Sequence, residues 1–279
     1  MALPRRFGPA PYRGARFPIA MPYEWSDSPV APAMRPGAIV VTSFPSAGLA
    51  TTVAGHFMIR SLKLVRTGLF EAPEMAPVAV IQGGEVQPPI RAYGNGALSL
   101  VLSEFPPASG QATAIAQSIF NGARQRKAGM IVCLEGVVPH PSDPGEEAPP
   151  PDGAVEASWV AFSQRSAALD GRFLKPPTKL LSDGVIGGVT GALLVRALET
   201  EIPVVALLVS ARATEGYPDD RAGAHLIETL TAAFPEFKID TRPLRAQAEE
   251  IEKMLRASMQ RSPSPAPDEA GSPATDMYR

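Results

Sequence analysis

The stretch Leu181-Ser182-Asp183-Gly184-Val185-Ile186-Gly187-Gly188-Val189-Thr190-Gly191-Ala192-Leu193-Leu194 departs furthest from ordinary composition. Its glycines fall at positions 184, 187, 188 and 191, the i, i+3, i+4, i+7 spacing that lines one face of a helix. Each interior glycine costs roughly 1 kcal/mol against alanine, so a helix that carries this many needs its backbone close to something else. An anion or another backbone would meet that need. No lysine stands where G-x-x-x-x-G-K-[ST] requires one, and G-x-x-G-G-x-x-G is not the dinucleotide fingerprint G-x-G-x-x-G. The spacing therefore predicts a helix over about 184–199, capped at Ser182-Asp183, whose smooth face packs against a sheet or a partner subunit. Gly184, Gly187, Gly188 and Gly191 are the candidate packing or ligand residues.

Working outward, the apolar runs at 159–162 and 203–210 read as strands on either side of that helix, and strand, helix and strand in this order argue for βαβ units. Upstream, residues 37–44 form a β-branched run ended by Pro45, with Ser46 placed to cap a helix over about 46–62. Short strands follow at 64–70, 78–81, 89–93 and 97–105. Asn95-Gly96 between the last two predicts a tight hairpin. Ala112, Ile115, Ala116, Ile119 and Phe120 share one stripe of a helix over about 109–126, which Gly129 stops before a buried strand at 130–134. Tyr217-Pro218-Asp219-Asp220 turns the chain into a helix over about 219–233, and a last helix covers about 243–258. The expected fold class is α/β, with a mainly parallel central sheet flanked by helices.

With 279 residues and 45% hydrophobic content, a substantial core is expected. The expected organisation is an extended Pro/Arg-rich arm over 1–35, one α/β domain over 36–258 with a flexible acidic, proline-rich excursion at 139–157, and a flexible tail over 259–279. A net charge of −2 with no gathered basic surface argues against a nucleic-acid binder. No apolar run has the length of a membrane helix, and the N-terminal residues lack the apolar segment of a signal peptide. The single cysteine, Cys133, suits a reducing, cytoplasmic setting. His56, His140 and His225 lie far apart without metal-ligand spacing, so no metal and no cofactor are expected. Phe44-Pro45-Ser46-Ala47-Gly48 lacks the first glycine of a nucleophile elbow, which leaves Ser46 as a helix cap. Glu215, Asp219 and Asp220 follow an apolar strand, where open α/β sheets place ligands, but Asp before a helix is more simply a cap. These residues point to a non-enzymatic protein.

The sequence closes on Met277-Tyr278-Arg279, a hydrophobic residue, a tyrosine and a further residue, carried on a Ser/Pro-rich tether that suits capture in a pocket of a larger partner. From about 37 to 255 the chain resembles the proteasome assembly chaperone family. The likeness rests on the turn from Phe44-Pro45 to Gly48-Leu49, the 184–194 glycine stretch, Tyr217-Pro218-Asp219-Asp220, and Ala248-Glu249-Glu250-Ile251-Glu252. The resemblance implies a phosphorylase/hydrolase-like α/β fold and docking on α-ring subunits of the 20S proteasome. Members with such a terminus insert it between those subunits, with the carboxylate on a pocket lysine, and Met277, Tyr278 and Arg279 match that motif. A homo-oligomer or a paralogue is expected to gather several tails. The alternative that the resemblance carries is a small-molecule hydrolase or phosphorylase using the 184–191 region.

Overall fold

The computed structural model describes residues 24–28, 32–71, 78–108, 110–138, 157–212 and 217–261. The chain runs through β1 (Glu24–Asp27), β2 (Ile39–Ser43), α1 (Ala50–Ser61) and β3 (Val65–Glu71). Then come the small hairpin β4 (Val80–Gln82) and β5 (Glu85–Gln87), β6 (Ile90–Gly94), β7 (Leu98–Ser103), α2 (Gln111–Gln125) and β8 (Met130–Val137). The described chain continues with β9 (Ser158–Phe162), α3 (Ala167–Phe173), β10 (Lys179–Leu180), α4 (Gly188–Arg196), β11 (Val204–Ser210), α5 (Asp220–Ala233) and α6 (Arg242–Arg261).

Nine strands form one sheet in the order β1-β3-β6-β7-β2-β8-β11-β9-β10. The parallel part is its central block, β7-β2-β8-β11. On one side β1, β3 and β6 extend it antiparallel, because a tight connection at Asn95 returns β6 onto β7. The Asn95 side-chain oxygen accepts the Ala97 and Leu98 N–H groups and holds that turn. On the other side β9 runs antiparallel to β11, and β10 pairs parallel with β9.

Alternation in the three innermost strands sorts apolar side chains into two cores. Ile39, Val41, Val132, Leu134, Val205 and Leu207 face α1 and α5, whereas Val40, Ile131, Cys133, Val204 and Ala206 face α2 and α4. Helices thus cover both faces of the parallel block, as a strand buried on both sides requires.

Three sequence expectations change. The strands on either side of the glycine-rich helix, β9 and β11, pair antiparallel, so they do not form the expected βαβ unit. The folded part starts before position 36, because Trp25 on β1 is buried against Phe70 and under the Arg126 guanidinium, 4.2 Å from its ring, and this anchors an edge strand inside the proline-rich region. The glycine-rich helix starts at 188, not 184, so the four glycines do not share one helical face. Gly188 has φ +63, outside the right-handed helical range, which separates a 181–187 loop from α4. Gly191 admits a backbone, as one reading required, but that of its own chain. A Cβ there would stand 2.2 Å from the Ile186 carbonyl oxygen.

Candidate functional site

In an open α/β sheet the carboxyl ends of the parallel strands are where a ligand is sought first. Here they are β7, β2, β8 and β11. Beyond β2 the chain turns through Gly48, whose φ is +61 and whose added Cβ would meet the Arg212 carbonyl oxygen at 2.6 Å. The Asp219 N–H donates to the Gly48 carbonyl at 2.7 Å, so the turns after β2 and β11 are tied together. Ser46 does not cap a helix with its hydroxyl, contrary to expectation. That oxygen accepts the Gly136 N–H at 3.0 Å and donates to Thr51 Oγ1 at 3.2 Å, and Thr51 donates in turn to the Phe44 carbonyl. The Ser46 hydroxyl thus joins the end of β8 to the first turn of α1 without capping a backbone N–H of that helix.

Asp219 caps α5: Oδ1 accepts the Ala222 N–H at 3.0 Å, and Oδ2 accepts the Arg212 N–H at 2.7 Å. Asp220 accepts from Gln247 Nε2 at 2.8 Å on α6, and burial raises its pKa. Glu252 accepts from both Arg212 Nη2 (2.6 Å) and Arg221 Nη2 (3.0 Å), which fastens α6 to this end. The crevice among these groups holds about 50 Å³, room for a few waters. Glu215 lies outside the described residues.

Glu135, near the end of β8, escaped the sequence reading. Burial pushes its carboxyl up to about 7, against the lowering effect of a 2.5 Å hydrogen bond donated by Thr190 in the first turn of α4. Cys133, two residues earlier on the same face, is fully buried and its thiol is pushed up to about 12, which leaves it un-ionised at neutral pH. Arg91 and Glu104 were missed as well. Arg91 is wholly buried, donates to Tyr93 Oη and the Pro88 carbonyl, and grips both oxygens of Glu104. His56 Nε2 on α1 lies 3.1 Å from the same carboxylate. Burial by itself would raise the Glu104 pKa, but the bonds from His56 and Arg91 outweigh it and hold it at about 2. The available signals were an arginine inside an apolar strand and a glutamate closing one. His225 is buried in α5, 3.9 Å from Glu228, and His140 lies outside the described residues.

The glycine stretch opens onto a shallow recess of about 250 Å³ lined by Ala161, Leu181, Asp183, Ile186, Leu194 and Val195, together with Ser182, Gly184 and Gly191. Gly187 and Gly188 stand at the surface with nothing near their Cβ positions. A larger recess, about 290 Å³, lies near β1 between Trp25, Met34, Thr67, Leu98, Ser99 and Arg126. Among the described residues no three His, Cys, Asp or Glu side chains gather as a metal site, and no helix is long and apolar enough to cross a membrane. Met277, Tyr278 and Arg279 lie outside the described residues.

A family model described as the PAC2 family matches residues 40–259, from the second residue of β2 to the last turns of α6. The chain belongs to the PAC2 family. A curated relative, the "Uncharacterized protein MJ0106" of Methanocaldococcus jannaschii, is 27% identical over 218 residues, 78% of this chain and 84% of that protein. Among solved structures the fold is similar to that of Pyrococcus furiosus PbaA, described as an archaeal homolog of proteasome-assembly chaperone. That match has a TM-score of 0.71 at 23% identity and covers 86% of this chain and 92% of that one. It is also similar to P. furiosus PbaB, described as an archaeal proteasome activator, with a TM-score of 0.67 at 16% identity over 85% and 99% of the two chains.

Proposed function

We propose that this PAC2-family chain is a non-catalytic proteasome-binding protein that docks on the α-ring of the core particle through Met277, Tyr278 and Arg279. The observation that carries the reading is family membership over 40–259, together with a fold shared with PbaA and PbaB over more than four-fifths of the chain. A chaperone homolog and an activator on one fold support proteasome association and leave assembly and gating as two modes of the same docking. In the proposed contact the Tyr278 ring fills an inter-subunit pocket and its hydroxyl takes a hydrogen bond. Met277 adds apolar area, and the Arg279 carboxylate pairs with a lysine. The polar groups at the carboxyl end of the sheet also favour a binding role over catalysis, since Ser46, Asp219 and Glu135 are each engaged by the fold itself.

Co-sedimentation with core particle from the same organism tests this, comparing wild type, Tyr278→Ala and a chain ending at Met259, with peptide hydrolysis followed in parallel. Both variants should lose binding. A rise in hydrolysis on wild-type binding assigns gating, and no rise assigns assembly. Equal binding by all three proteins refutes the tail contact, and no binding by wild type refutes the proteasome reading.

A further inference from the structure

The recess of about 290 Å³ near β1 lies on the α2 face of the sheet, where Arg126 at the C-terminal end of that helix borders it. Its floor comes from three neighbouring strands. Ser99 on β7 stands on the same face as Val101, and opposite it across the ladder is Gly94 on β6, on the face of Ala92. Beyond Gly94, β3 carries a bulge between Arg66 and Gly68, and the extra residue, Thr67, brings its methyl to 3.3 Å from where a Gly94 Cβ would stand. A glycine between two hydroxyl residues keeps the floor open. Trp25 forms one wall and Met34 another.

The fold supplies room here but not partners. Trp25 Nε1, Thr67 Oγ1 and Ser99 Oγ are buried and have no hydrogen-bond partner among the described residues, and Trp25 and Ser99 are only 7% and 4% exposed. Buried polar atoms are almost always paired, so three without a partner around one recess require a reason. The two hydroxyls donate or accept and the indole N–H only donates, so the group they lack is an oxygen acceptor. The charges in the lining are already spent. Arg126 donates twice to Asp27, at 2.6 and 3.1 Å, and also to the Gly122 and Trp25 carbonyls.

We propose that this recess is a binding site for a small uncharged molecule that carries a carbonyl or hydroxyl oxygen beside a short apolar part. Thr67 and Ser99 hold the oxygen. Each hydroxyl moves between wall and recess by rotation about one bond, χ1, so no backbone shift is needed to present it. Met34 and Pro32 take the apolar part. A concave, mostly apolar site with a few convergent polar groups is the usual form of a small-molecule pocket, and the Arg126–Asp27 pair leaves no free charge to select an ion.

The site stands independently of the proteasome reading, and its test involves no core particle. The full chain, as wild type and as Thr67→Val/Ser99→Ala, is titrated by ligand-detected NMR. Benzamide and benzyl alcohol serve as uncharged probes, and benzoate and benzylammonium as their charged counterparts. Wild type should bind an uncharged probe at millimolar concentration and its charged counterpart about tenfold more weakly or not at all. The double variant should bind the uncharged probe about tenfold more weakly than wild type. Its urea midpoint should be no lower, because the hydroxyls it removes have no partner to lose. No binding of either uncharged probe by wild type overturns the proposal, and so does equal binding of the charged ones. Undiminished binding by the double variant overturns it as well. A lower midpoint for that variant would mean that the hydroxyls serve the fold, which also overturns it.

Discussion

Replacing Glu135 by glutamine should make the protein more stable at pH 8 and leave it nearly unchanged at pH 4. The folded chain holds the Glu135 proton up to about pH 7, whereas an unfolded glutamate releases it near 4.5. Between those values the folded state binds more protons than the unfolded one, so stability falls as pH rises through that window and is level above it. Moving the midpoint from 4.5 to about 7 corresponds to about 3 kcal/mol lost at pH 8. The desolvated carboxyl causes the loss, and the Thr190 hydroxyl offsets part of it. Glutamine keeps an acceptor for Thr190 Oγ1 and does not titrate, so the variant regains most of that energy above pH 7. For a domain of this size the gain corresponds to a melting temperature about 6–12 °C higher. Urea unfolding of both proteins at pH 4, 6 and 8 reads the difference directly, with all other titrations common to the pair. A constant difference across pH, or a variant less stable at pH 8, would refute the reasoning and mean that the anion at the α4 N-terminus is worth more than its burial costs.

Other changes test other joints of the fold. Gly48→Ala should cost at least about 2 kcal/mol in urea unfolding, since φ is +61 and the new methyl meets the Arg212 carbonyl; an unchanged midpoint would mean the turn relaxes freely. Glu104→Gln should cost about 3–5 kcal/mol by leaving the buried Arg91 without its counter-charge. The same variant should lack the stability that wild type loses on acidification from pH 4.5 towards 2, because Glu104 is held at about 2 only when folded. Trp25→Ala should cost about 3–5 kcal/mol, as for other buried aromatic truncations; a negligible effect would return β1 to the status of a loose arm.

The parts of this fold legible in the sequence are those set by local periodicity. Ile115, Ala116, Ile119 and Phe120 announce α2 by spacing alone and are buried. Asn95-Gly96 announces the β6–β7 hairpin, because positive φ at Gly96 and a side-chain acceptor at Asn95 are local properties. β1 was hidden because prolines surround it and its stability comes from a contact with Arg126, about a hundred residues away. α3 has seven residues and offers too few turns for a period to show. The glycine spacing misled for another reason. An i, i+3, i+4, i+7 pattern cannot report that Gly188 sits at φ +63, and that dihedral decides where the helix begins. Glu135 and Arg91 were illegible as a site because their partners, Thr190 and Glu104, come from different elements.

The proposed docking role puts recognition away from the crevice where an α/β sheet of this kind offers its ligand site. At the carboxyl ends of β2, β8 and β11, the Ser46 hydroxyl ties the end of β8 to the first turn of α1, and the Asp219 carboxylate is occupied by two backbone N–H groups. Arg212 and Arg221 share Glu252, and the space left between them is about 50 Å³. A substrate would have to break bonds that hold the turns themselves, and each break would expose a buried polar group at a cost of about 1–3 kcal/mol. Val185, Val195 and Leu198, by contrast, are exposed apolar side chains. The polar groups of that crevice are committed to the turns, which is consistent with the proposed docking role. On this account, substitutions of Ser46 or Asp219 at the carboxyl end should lower stability in urea unfolding, because those side chains hold the turns themselves.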